Sequence, residues 1–465
     1  MYPQNQTFFV LGLSKSGVSA TQFLLSKTAK VYIYDDLQSD RIQKTAVALS
    51  ELGAKWVKKE ELSKMPEVCD ALVLSPGIPI DHPIAVSFKR SKKAVISEAE
   101  LACRYARFPM IAITGTNGKT TTVSMLTEVL KGAGLDAKAC GNIGTPILDI
   151  CQESLDIAVA EISSFQLETL SSIFPHVSVV LNITEDHLNR HYNMDNYIFL
   201  KAKLLKNASE SEFAVLNADD EIVRSFAEKT KARCVWFSIK ERVNGGYLEN
   251  GKLCFNGEEI VSADELPIGG VHNIQNALAV ICVAKILGIA SLEIKNALVN
   301  FKGIAHRIEK IAEIDGVEYI DDSKGTNVDA TVKAVMSMKR KTVLLLGGKN
   351  KGYDYTKLFT EIKNSQVVQA VLYGENRYAI YKGAREVGFE AITICQDFST
   401  AVAIAKLLVK PNQTVLLSPA SASFDEFTGY EERGERFVEI VRSFAENSSN
   451  AEKESVAEAE EIREE

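Results

Sequence analysis

The sequence of 465 residues lacks several features that would place it in a special class of protein. It has no block of five or more basic residues, and 61 acidic residues outnumber 53 basic ones, so no nucleic acid is expected as a partner. No uncharged run reaches the ~18 residues that a membrane span needs. The N-terminal residues lack the basic start and the long apolar core of a signal peptide. These absences predict a cytoplasmic protein without a membrane span.

Cysteine pairs at close spacing are also missing. The eight cysteines form no C-x-x-C pair and lie far apart, at positions 69, 103, 140, 151, 234, 254, 282 and 395. We interpret them as buried, small apolar residues of a protein in a reducing compartment.

The length predicts about three domains, because a single core rarely grows to this size. Short β-branched runs alternate with turns and helical stretches throughout, which is typical of α/β domains with parallel sheets covered on both faces. The expected strands fall into three groups: Phe8–Leu11, Val31–Tyr34 and Ala71–Leu74; Met110–Ile113, Ile157–Ala160, Val177–Leu181 and Phe213–Leu216; Val317–Ile320, Thr342–Leu346, Ala370–Tyr373 and Thr414–Leu417.

Interruptions of this pattern place the domain boundaries near residues 98 and 303. The expected domains are 1–97, 98–303 and 304–446. Residues 447–465 are rich in Glu, Ser and Ala and have almost no large apolar side chains, which predicts a disordered, dispensable tail.

The strongest motif is the segment 110–122, MIAITGTNGKTTT, in which a buried strand leads through a Gly-rich turn into a helix. Backbone N–H groups of such a turn bind phosphate, Lys119 adds a positive charge, and Thr120 can reach Mg²⁺. The segment departs from G-x-x-x-x-G-K-[ST] in having Ile113 at the first glycine position. The alternative, a glycine-rich turn without a ligand, leaves the Lys and Thr at the helix start without a role.

Polar residues follow two further strands of the middle group. Glu161 ends one strand, and Asp186 and His187 follow another, at the sheet edge where α/β folds bind ligands. Carboxylate, hydroxyl and an occasional imidazole suit Mg²⁺. Taken singly, Glu161 could equally cap a helix and His187 could be a loop histidine; their placement beside a phosphate loop favours a metal site. Asn142 adds a polar group in a tight turn.

The first group contains a degenerate dinucleotide fingerprint. Residues 12–17, GLSKSG, follow the first strand with Ser14 at the middle glycine position, and Asp35 and Asp36 close the second strand. An acid in that place can meet a ribose hydroxyl. The pattern supports a nucleotide diphosphate site without indicating a nicotinamide cofactor.

Three loops of the last group follow buried strands and should converge on one edge of its sheet. They are residues 319–327, 345–352 and 417–425. Their lysines and hydroxyls suit an anionic substrate, although each lysine taken singly is more simply a solvated loop residue.

The segment 114–120, TGTNGKT, is the variant phosphate loop of the Mur ligases and folylpolyglutamate synthases. Residues 322–327 (DSKGTN), 347–351 (GGKNK) and 418–425 (SPASASFD) resemble the Mur ligases that add D-glutamate, and the motifs run in order from about residue 8 to about residue 444. The resemblance implies three domains: Rossmann-like, then a phosphate-loop ATPase domain with a mainly parallel sheet, then Rossmann-like again.

The implied activity is ATP-dependent addition of D-glutamate to UDP-N-acetylmuramoyl-L-alanine through an acyl phosphate, with two Mg²⁺ ions, by a monomer. The expected UDP-sugar residues are Ser14, Ser16, Asp35, Asp36, Gly77 and Asn142. The expected ATP residues are Gly115, Thr116, Asn117, Gly118, Lys119, Thr120, Thr121, Asn273, Asn276, Arg307 and Asp322. The expected metal ligands are Thr120, Glu161, His187 and Lys201, the last as a carbamate.

The resemblance also implies the amino-acid site and the catalytic set. The residues expected to receive D-glutamate are Lys324, Thr326, Lys351, Ser423, Phe424 and Tyr430. The expected catalytic residues are Lys119, His187, Lys201 and Lys324. Two positions depart from the family pattern: Gly325, where Ala is common, and Asn189, where Asp is common. The second departure leaves the role of its loop open.

Three alternatives remain beside this interpretation. A folylpolyglutamate-type ligase would share the phosphate loop but not the loops of the last domain. A nicotinamide-dependent oxidoreductase would use the turn at residues 12–17 and leave Lys119 and Glu161 without a function. A phosphate-loop switch would bind nucleotide without forming a product. In the ligase, the last domain is expected to close over the middle one, since water would destroy an acyl phosphate.

Overall fold

The computed structural model describes residues 4–37, 39–350 and 352–445. The chain packs into two compact units. The first comprises residues up to Leu266 together with Ile274–Phe301, and the second comprises Pro267–Asn273 and the residues from Lys302 on. Lys351 and the predicted tail, 447–465, lie outside the described residues.

The first unit begins with a five-stranded parallel sheet. Its strand order, β3-β2-β1-β4-β5, is that of a Rossmann-like half. The strands are β1 Thr7–Leu11, β2 Lys30–Tyr34, β3 Lys55–Trp56, β4 Ala71–Leu74 and β5 Ala94–Ile96. The helices are α1 Lys15–Ser26, α2 Asp40–Glu51, α3 Met65–Val68, α4 Pro83–Arg90 and α5 Glu98–Cys103.

A nine-stranded sheet forms the rest of the first unit, in the order β14-β13-β12-β11-β10-β9-β6-β8-β7. It is parallel from β7 to β12, and β13 and β14 add an antiparallel edge. The strands are β6 Met110–Thr114, β7 Ala137–Gly141, β8 Ile157–Glu161, β9 Val177–Val180, β10 Phe213–Asn217, β11 Arg233–Ser238, β12 Gly245–Glu249, β13 Lys252–Phe255 and β14 Glu258–Ser262. The helices are α6 Lys119–Gly132, α7 Ile147–Ile150, α8 Ser164–Thr169, α9 Leu188–His191, α10 Met194–Ala202, α11 Glu221–Arg224, α12 Val271–Ile286 and α13 Ser291–Val299. The first three residues of α12 belong to the second unit.

The second unit contains a six-stranded sheet in the order β15-β16-β20-β17-β18-β19. All neighbours are parallel except the hairpin β15–β16. The strands are β15 Glu309–Ile314, β16 Val317–Asp321, β17 Thr342–Gly347, β18 Val367–Tyr373, β19 Ile392–Ile394 and β20 Thr414–Leu417. The helices are α14 Val328–Met336, α15 Tyr355–Ile362, α16 Arg377–Glu386, α17 Phe398–Leu408 and α18 over residues 430–445.

Burial explains why these runs became strands. Every residue of β4, β6, β8, β9, β17 and β20 is buried, as expected for parallel strands with helices on both faces. The carboxyl ends of β6, β8 and β9 therefore emerge side by side at one edge of the nine-stranded sheet. This edge carries the phosphate-loop motif.

The predicted fold class, α/β with mainly parallel sheets, is confirmed. All eleven predicted strands are present, within three residues at their ends. Several of the strands that the sequence did not indicate, such as β3 and β5, are short and lie at sheet edges, where exposure weakens the apolar pattern. The interior strands β11 and β12 were missed as well. The boundaries at 97/98 and 303/304 remain predictions.

Two smaller expectations can be compared with the structure. None of the eight cysteines is bridged; six are buried, whereas Cys103 and Cys234 are half-buried. Over the described ranges, no helix is both long enough and apolar enough to cross a membrane.

Candidate active site

The phosphate loop connects the buried strand β6 to helix α6. Gly115 and Gly118 have φ angles of 151° and 87°, in the region that favours glycine. A Cβ atom on Gly118 would stand 2.4 Å from Asn276 Oδ1, which leaves no room for a larger residue. The turn therefore needs its glycines both for its backbone path and for close packing.

Two lysine side chains reach the same carbonyl group of this loop. Lys119 Nζ donates to Gly115 O at 2.8 Å and to Thr116 O at 2.7 Å. Lys201 Nζ donates to Gly115 O at 2.9 Å and to Thr114 Oγ1 at 3.0 Å. The helix α10 thus brings Lys201 to the loop from a distant part of the sequence.

Lys201 is 1% exposed, so its side chain is not that of a solvated helix lysine. Burial, reinforced by the charge of Lys119, holds the pKa of Lys201 well below its usual range, and Asp186 and Glu161 offset this only in part. A low pKa favours the neutral amine, which is the form that reacts with CO₂.

Glu161 ends β8 as a buried carboxylate. Thr120 Oγ1 donates to its Oε2 at 2.8 Å, and Asn142 Nδ2 donates to its Oε1 at 2.7 Å. A hydroxyl and a carboxylate this close are hard oxygen donors of the kind Mg²⁺ prefers, so Thr120 and Glu161 fit a Mg²⁺ site. Asn142, which the resemblance assigns to the UDP-sugar site, is hydrogen-bonded to the carboxylate of Glu161.

His187 follows β9 in a left-handed conformation, with φ of 55°. Its backbone N–H donates to Asp186 Oδ1 at 2.9 Å, and its ring packs against Phe165 with centroids 4.7 Å apart. Asp186 is buried, while the ring of His187 is about one-third exposed. His187 is therefore held by its neighbours with one side of its ring open.

The N-terminal sheet supplies the expected UDP-sugar residues. Ser14 is exposed and begins α1, and Ser16 is half-buried on its first turn. Both carboxylate oxygens of Asp35 accept backbone N–H groups, from Leu13 at 2.6 Å and Leu37 at 2.8 Å. Asp35 therefore shapes the turn, and Asp36 is the more open of the two acids, paired with His82 at 3.0 Å.

Gly77 lies in the loop after β4, where a Cβ atom would meet nothing within 4 Å. The space above this backbone can therefore accept a ligand. Of the two asparagines expected near adenine, Asn276 touches Gly118 within the first unit, and Asn273 donates to Gly269 O at 2.8 Å within the second.

In the second unit, Asp322 follows β16 and is buried. Ser418 Oγ donates to its Oδ2 at 2.7 Å. Burial raises the pKa of Asp322 to about 7, and this hydrogen bond and Arg307 lower it only in part. A Cβ atom on Gly325 would lie 2.4 Å from Asp322 Oδ2, so an alanine at this position would require the Asp322 side chain to shift.

The expected amino-acid residues of the second unit lie on neighbouring loops. Lys324 Nζ is 5.0 Å from the ring centroid of Tyr430, and Thr326 N–H donates to Lys324 O at 2.8 Å. Ser423 is buried, whereas the ring of Phe424 is 67% exposed. An exposed aromatic ring on the loop that also carries the buried Ser423 is suited to cover a small ligand.

Two buried side chains that sequence reasoning missed hold these loops together. Arg433 is fully buried and donates to Ser323 Oγ at 2.9 Å, to Ser323 O at 2.7 Å and to Ser421 O at 3.2 Å. Asn376 accepts from Gly348 N–H at 2.9 Å and donates to Ser421 Oγ at 2.6 Å. A signal existed for Arg433, because it precedes Phe437 and Val441 at helical spacing on an otherwise apolar face.

Asn182 was missed in the first unit. Its Oδ1 accepts from Asn117 N–H at 2.8 Å, and its Nδ2 donates to Asn117 O at 3.0 Å. The Asn182 side chain thus bonds to both the N–H and the carbonyl of Asn117, as the backbone of a neighbouring strand would. Asn182 follows the same predicted strand as Asp186, and this position after the strand could have indicated that it belongs to the site.

These features define a phosphate-loop α/β protein with a buried carboxylate and two lysines at the loop. Models of the Mur ligase N-terminal domain (MurD-like), the Mur ligase middle domain and the Mur ligase glutamate ligase domain match residues 6–97, 113–284 and 306–421. The chain belongs to the Mur ligase family.

Relatives match over nearly the whole chain. The UDP-N-acetylmuramoylalanine--D-glutamate ligase of Pelotomaculum thermopropionicum is 41% identical, covering 93% of this chain and 97% of its own. The enzyme of the same name from Clostridioides difficile is 38% identical, covering 93% and 98%.

Solved structures share the fold. UDP-N-acetylmuramate-alanine ligase from Thermotoga maritima matches with a TM-score of 0.61 at 20% identity, covering 94% of this chain and 99% of its own. The MurF ligase of the same organism, solved in complex with ADP, matches with a TM-score of 0.60 at 16% identity, covering 96% of each chain.

Proposed function

We propose that this chain is an ATP-dependent ligase that adds D-glutamate to UDP-N-acetylmuramoyl-L-alanine, a cytoplasmic step in the synthesis of peptidoglycan precursors. The observation that carries the proposal is the match, over nearly the whole chain, to relatives named for this activity. The phosphate loop with Lys119, and the loops of Lys324 and Phe424, supply the chemistry that the reaction needs.

The reaction first has to activate a carboxylate. A carboxylate does not react with an amine at neutral pH because its oxide is a very poor leaving group. Transfer of the terminal phosphate of ATP converts the L-alanine carboxylate into an acyl phosphate and releases ADP. The deprotonated amine of D-glutamate then attacks the carbonyl carbon, and phosphate leaves from the tetrahedral intermediate.

The residues of the phosphate loop have distinct tasks in this reaction. The backbone N–H groups of the turn and the N-terminus of α6 bind the phosphates. Lys119, which lies along the loop on the Gly115 and Thr116 carbonyls, places its charge where the transferred phosphate develops negative charge.

Two Mg²⁺ ions would neutralise charge on the transferring phosphate. Thr120 and Glu161 would hold one of them. His187 and Lys201 would serve the second. As an ammonium group Lys201 would repel a cation, whereas its carbamate, formed with CO₂ and loss of a proton, offers oxygen ligands.

The amino-acid site is assigned to the second unit. Lys324 and Lys351 would pair with the two carboxylates of D-glutamate, with Thr326, Ser423 and Tyr430 as hydrogen-bonding groups and Phe424 as a cover. Arg307, Asp322 and Asn273 would contact the nucleotide, together with Asn276. The first domain would bind the UDP moiety through Ser14, Ser16, Asp36 and Gly77, with Asp35 forming the turn.

Phosphate release tests the proposal directly. We expect release to require ATP, UDP-N-acetylmuramoyl-L-alanine and D-glutamate together, with L-glutamate, L-alanine and diaminopimelate each tested in place of D-glutamate. Equal turnover without an amino acid would indicate a nucleotide switch, and equal turnover with L-glutamate would contradict the assigned substrate. A change in nicotinamide absorbance would indicate the oxidoreductase alternative.

A further inference from the structure

We propose that Arg190 is a positioning residue that holds the loop 76–78 in the conformation that receives the nucleoside diphosphate sugar and ties this loop to the segment of His187. The inference rests on the proposed function, since it takes that loop as part of the sugar-nucleotide site. Arg190 follows the predicted metal residues in sequence and belongs to the short helix α9.

The guanidinium group of Arg190 donates hydrogen bonds to three consecutive carbonyl groups. Its Nη2 donates to Ile78 O at 2.7 Å and to Pro76 O at 3.3 Å, and its Nη1 donates to Gly77 O at 3.3 Å. With the two carboxylate oxygens of Glu168, the guanidinium group serves five acceptors, which is more than the three N–H donors of a lysine can serve. The conformation of this loop is therefore set by a side chain from another part of the chain.

This arrangement also orients the N–H of Gly77. In a trans peptide the carbonyl and the N–H point in opposite directions, and no cis peptide bond occurs among the described residues. Because the Pro76 carbonyl is turned toward Arg190, the N–H of Gly77 points away from it. A Cβ atom on Gly77 would have open space around it, so a phosphate can approach this backbone closely.

Arg190 is itself fixed by a buried ion pair. Its Nε donates to Glu168 Oε1 at 2.9 Å and its Nη2 to Glu168 Oε2 at 2.6 Å, a bidentate geometry with little freedom. Glu168 is almost fully buried, so the pair is shielded from solvent.

A second contact joins Arg190 to the candidate metal site. The guanidinium carbon lies 5.0 Å from the centroid of the Phe165 ring, and the ring of His187 packs on the same phenyl group at 4.7 Å. The backbone N–H of Arg190 also donates to His187 O at 2.9 Å. Loss of the Arg190 side chain would therefore affect the sugar-nucleotide loop first, because His187 keeps its own contacts with Phe165 and Asp186.

The test separates positioning from general stability. Arg190→Ala alone would leave the buried Glu168 without its bidentate partner and, among the described residues, with only His191 Nδ1 at 3.5 Å, which can destabilise the protein. The double variant Arg190→Ala/Glu168→Ala removes both charges. We expect it to raise the apparent KM for UDP-N-acetylmuramoyl-L-alanine by about tenfold or more, while the KM values for ATP and D-glutamate stay within about twofold. Glu168→Ala, which retains Arg190, should raise the KM for the sugar nucleotide much less.

Arg104 is the matched control. It pairs with the buried Glu100 at 2.7 Å in the same unit, and among the described residues no hydrogen bond or ion pair joins it to the loop 76–78. Arg104→Ala should lower the melting temperature without the selective rise in KM. Arg190→Lys, which retains the charge without the fork, should resemble the double variant.

Calorimetric titration with UDP gives a readout that needs no turnover. Weaker binding of UDP to the double variant, with normal binding by Arg104→Ala, is the expected result. The inference is overturned if UDP binds equally to both variants and the wild type, or if all three KM values rise together. A wild-type enzyme that binds UDP but shows no turnover with D-glutamate would instead contradict the proposed function.

Discussion

The phosphate loop and the loops of the second unit bury charged groups in different ways. At the phosphate loop, two lysine side chains donate to one contiguous motif, and Glu161 accepts from Thr120 and Asn142. In the second unit, Asp322 is buried with a raised pKa, and separate loops are joined by backbone hydrogen bonds and by buried side chains such as Arg433. The backbone path of the phosphate loop is thus encoded in one contiguous motif, whereas the loops of the second unit depend on contacts between segments distant in sequence.

The largest effect is expected from Lys119→Ala. The lysine supplies charge to the transition state and contributes little to the core, so turnover should fall by about 10²–10³ while the fold is retained. The measurement is steady-state phosphate release, with circular dichroism to verify folding. Near-normal turnover by a folded variant would remove Lys119 from the mechanism.

Lys201→Ala should also lose most of the activity, because the buried amine lies between Thr114 and the loop carbonyl where an anionic ligand is expected after carbamylation. Carbon-13 NMR after incubation with labelled bicarbonate should show a carbamate signal that is absent from Lys201→Ala. Added acetate should restore part of the activity by replacing the lost oxygen ligand.

Lys203 is the control for this prediction. It lies two residues further on, and its Nζ donates to Leu167 O and Glu168 O, away from the phosphate loop. Lys203→Ala should therefore retain activity at some cost in stability. An active Lys201→Ala enzyme, with no carbamate signal in the wild type, would refute the role of Lys201.

The same contrast explains what the sequence could predict. The phosphate loop and its flanking strands were predictable because a contiguous motif encodes both the backbone path and the chemistry. The contacts of Lys201 were not, since its spacing of four residues from Tyr197 indicates a shared face of helix α10 but not what that face meets. Asn376 and Arg433 join loops distant in sequence, so their roles follow only from the folded unit.

Lys351→Ala tests the site of the second unit with a smaller effect. The lysine is assigned to a substrate carboxylate rather than to the reacting centre, so its loss should raise the KM for D-glutamate by about tenfold with little change in kcat. Lys349, which pairs with Glu375 at the surface, offers the matched control, and Lys349→Ala should behave as the wild type. A rise in the KM for ATP alone would show that the assignment is wrong.

Asp322→Asn should have the smallest effect on the fold. It tests how the buried carboxyl group of Asp322 differs from that of Glu161. Burial raises the pKa of Asp322 from 3.8 to about 7, so between these pH values the folded state binds more protons at this group than the unfolded state does. The stability that the protonated group contributes is therefore fully present below about pH 4 and is lost as the pH rises to about 7.

Asparagine has no proton to lose and can keep a hydrogen bond to Ser418, so the variant should escape this loss. We expect its melting temperature to exceed that of the wild type by roughly a few degrees above pH 7, with the difference shrinking toward pH 4. Its KM for ATP should rise, because the carboxylate is assigned to the nucleotide. If the difference in melting temperature between the two proteins stays constant from pH 4 to pH 8, Asp322 is ionised throughout. The second unit would then neutralise its buried carboxylate as fully as the phosphate loop does.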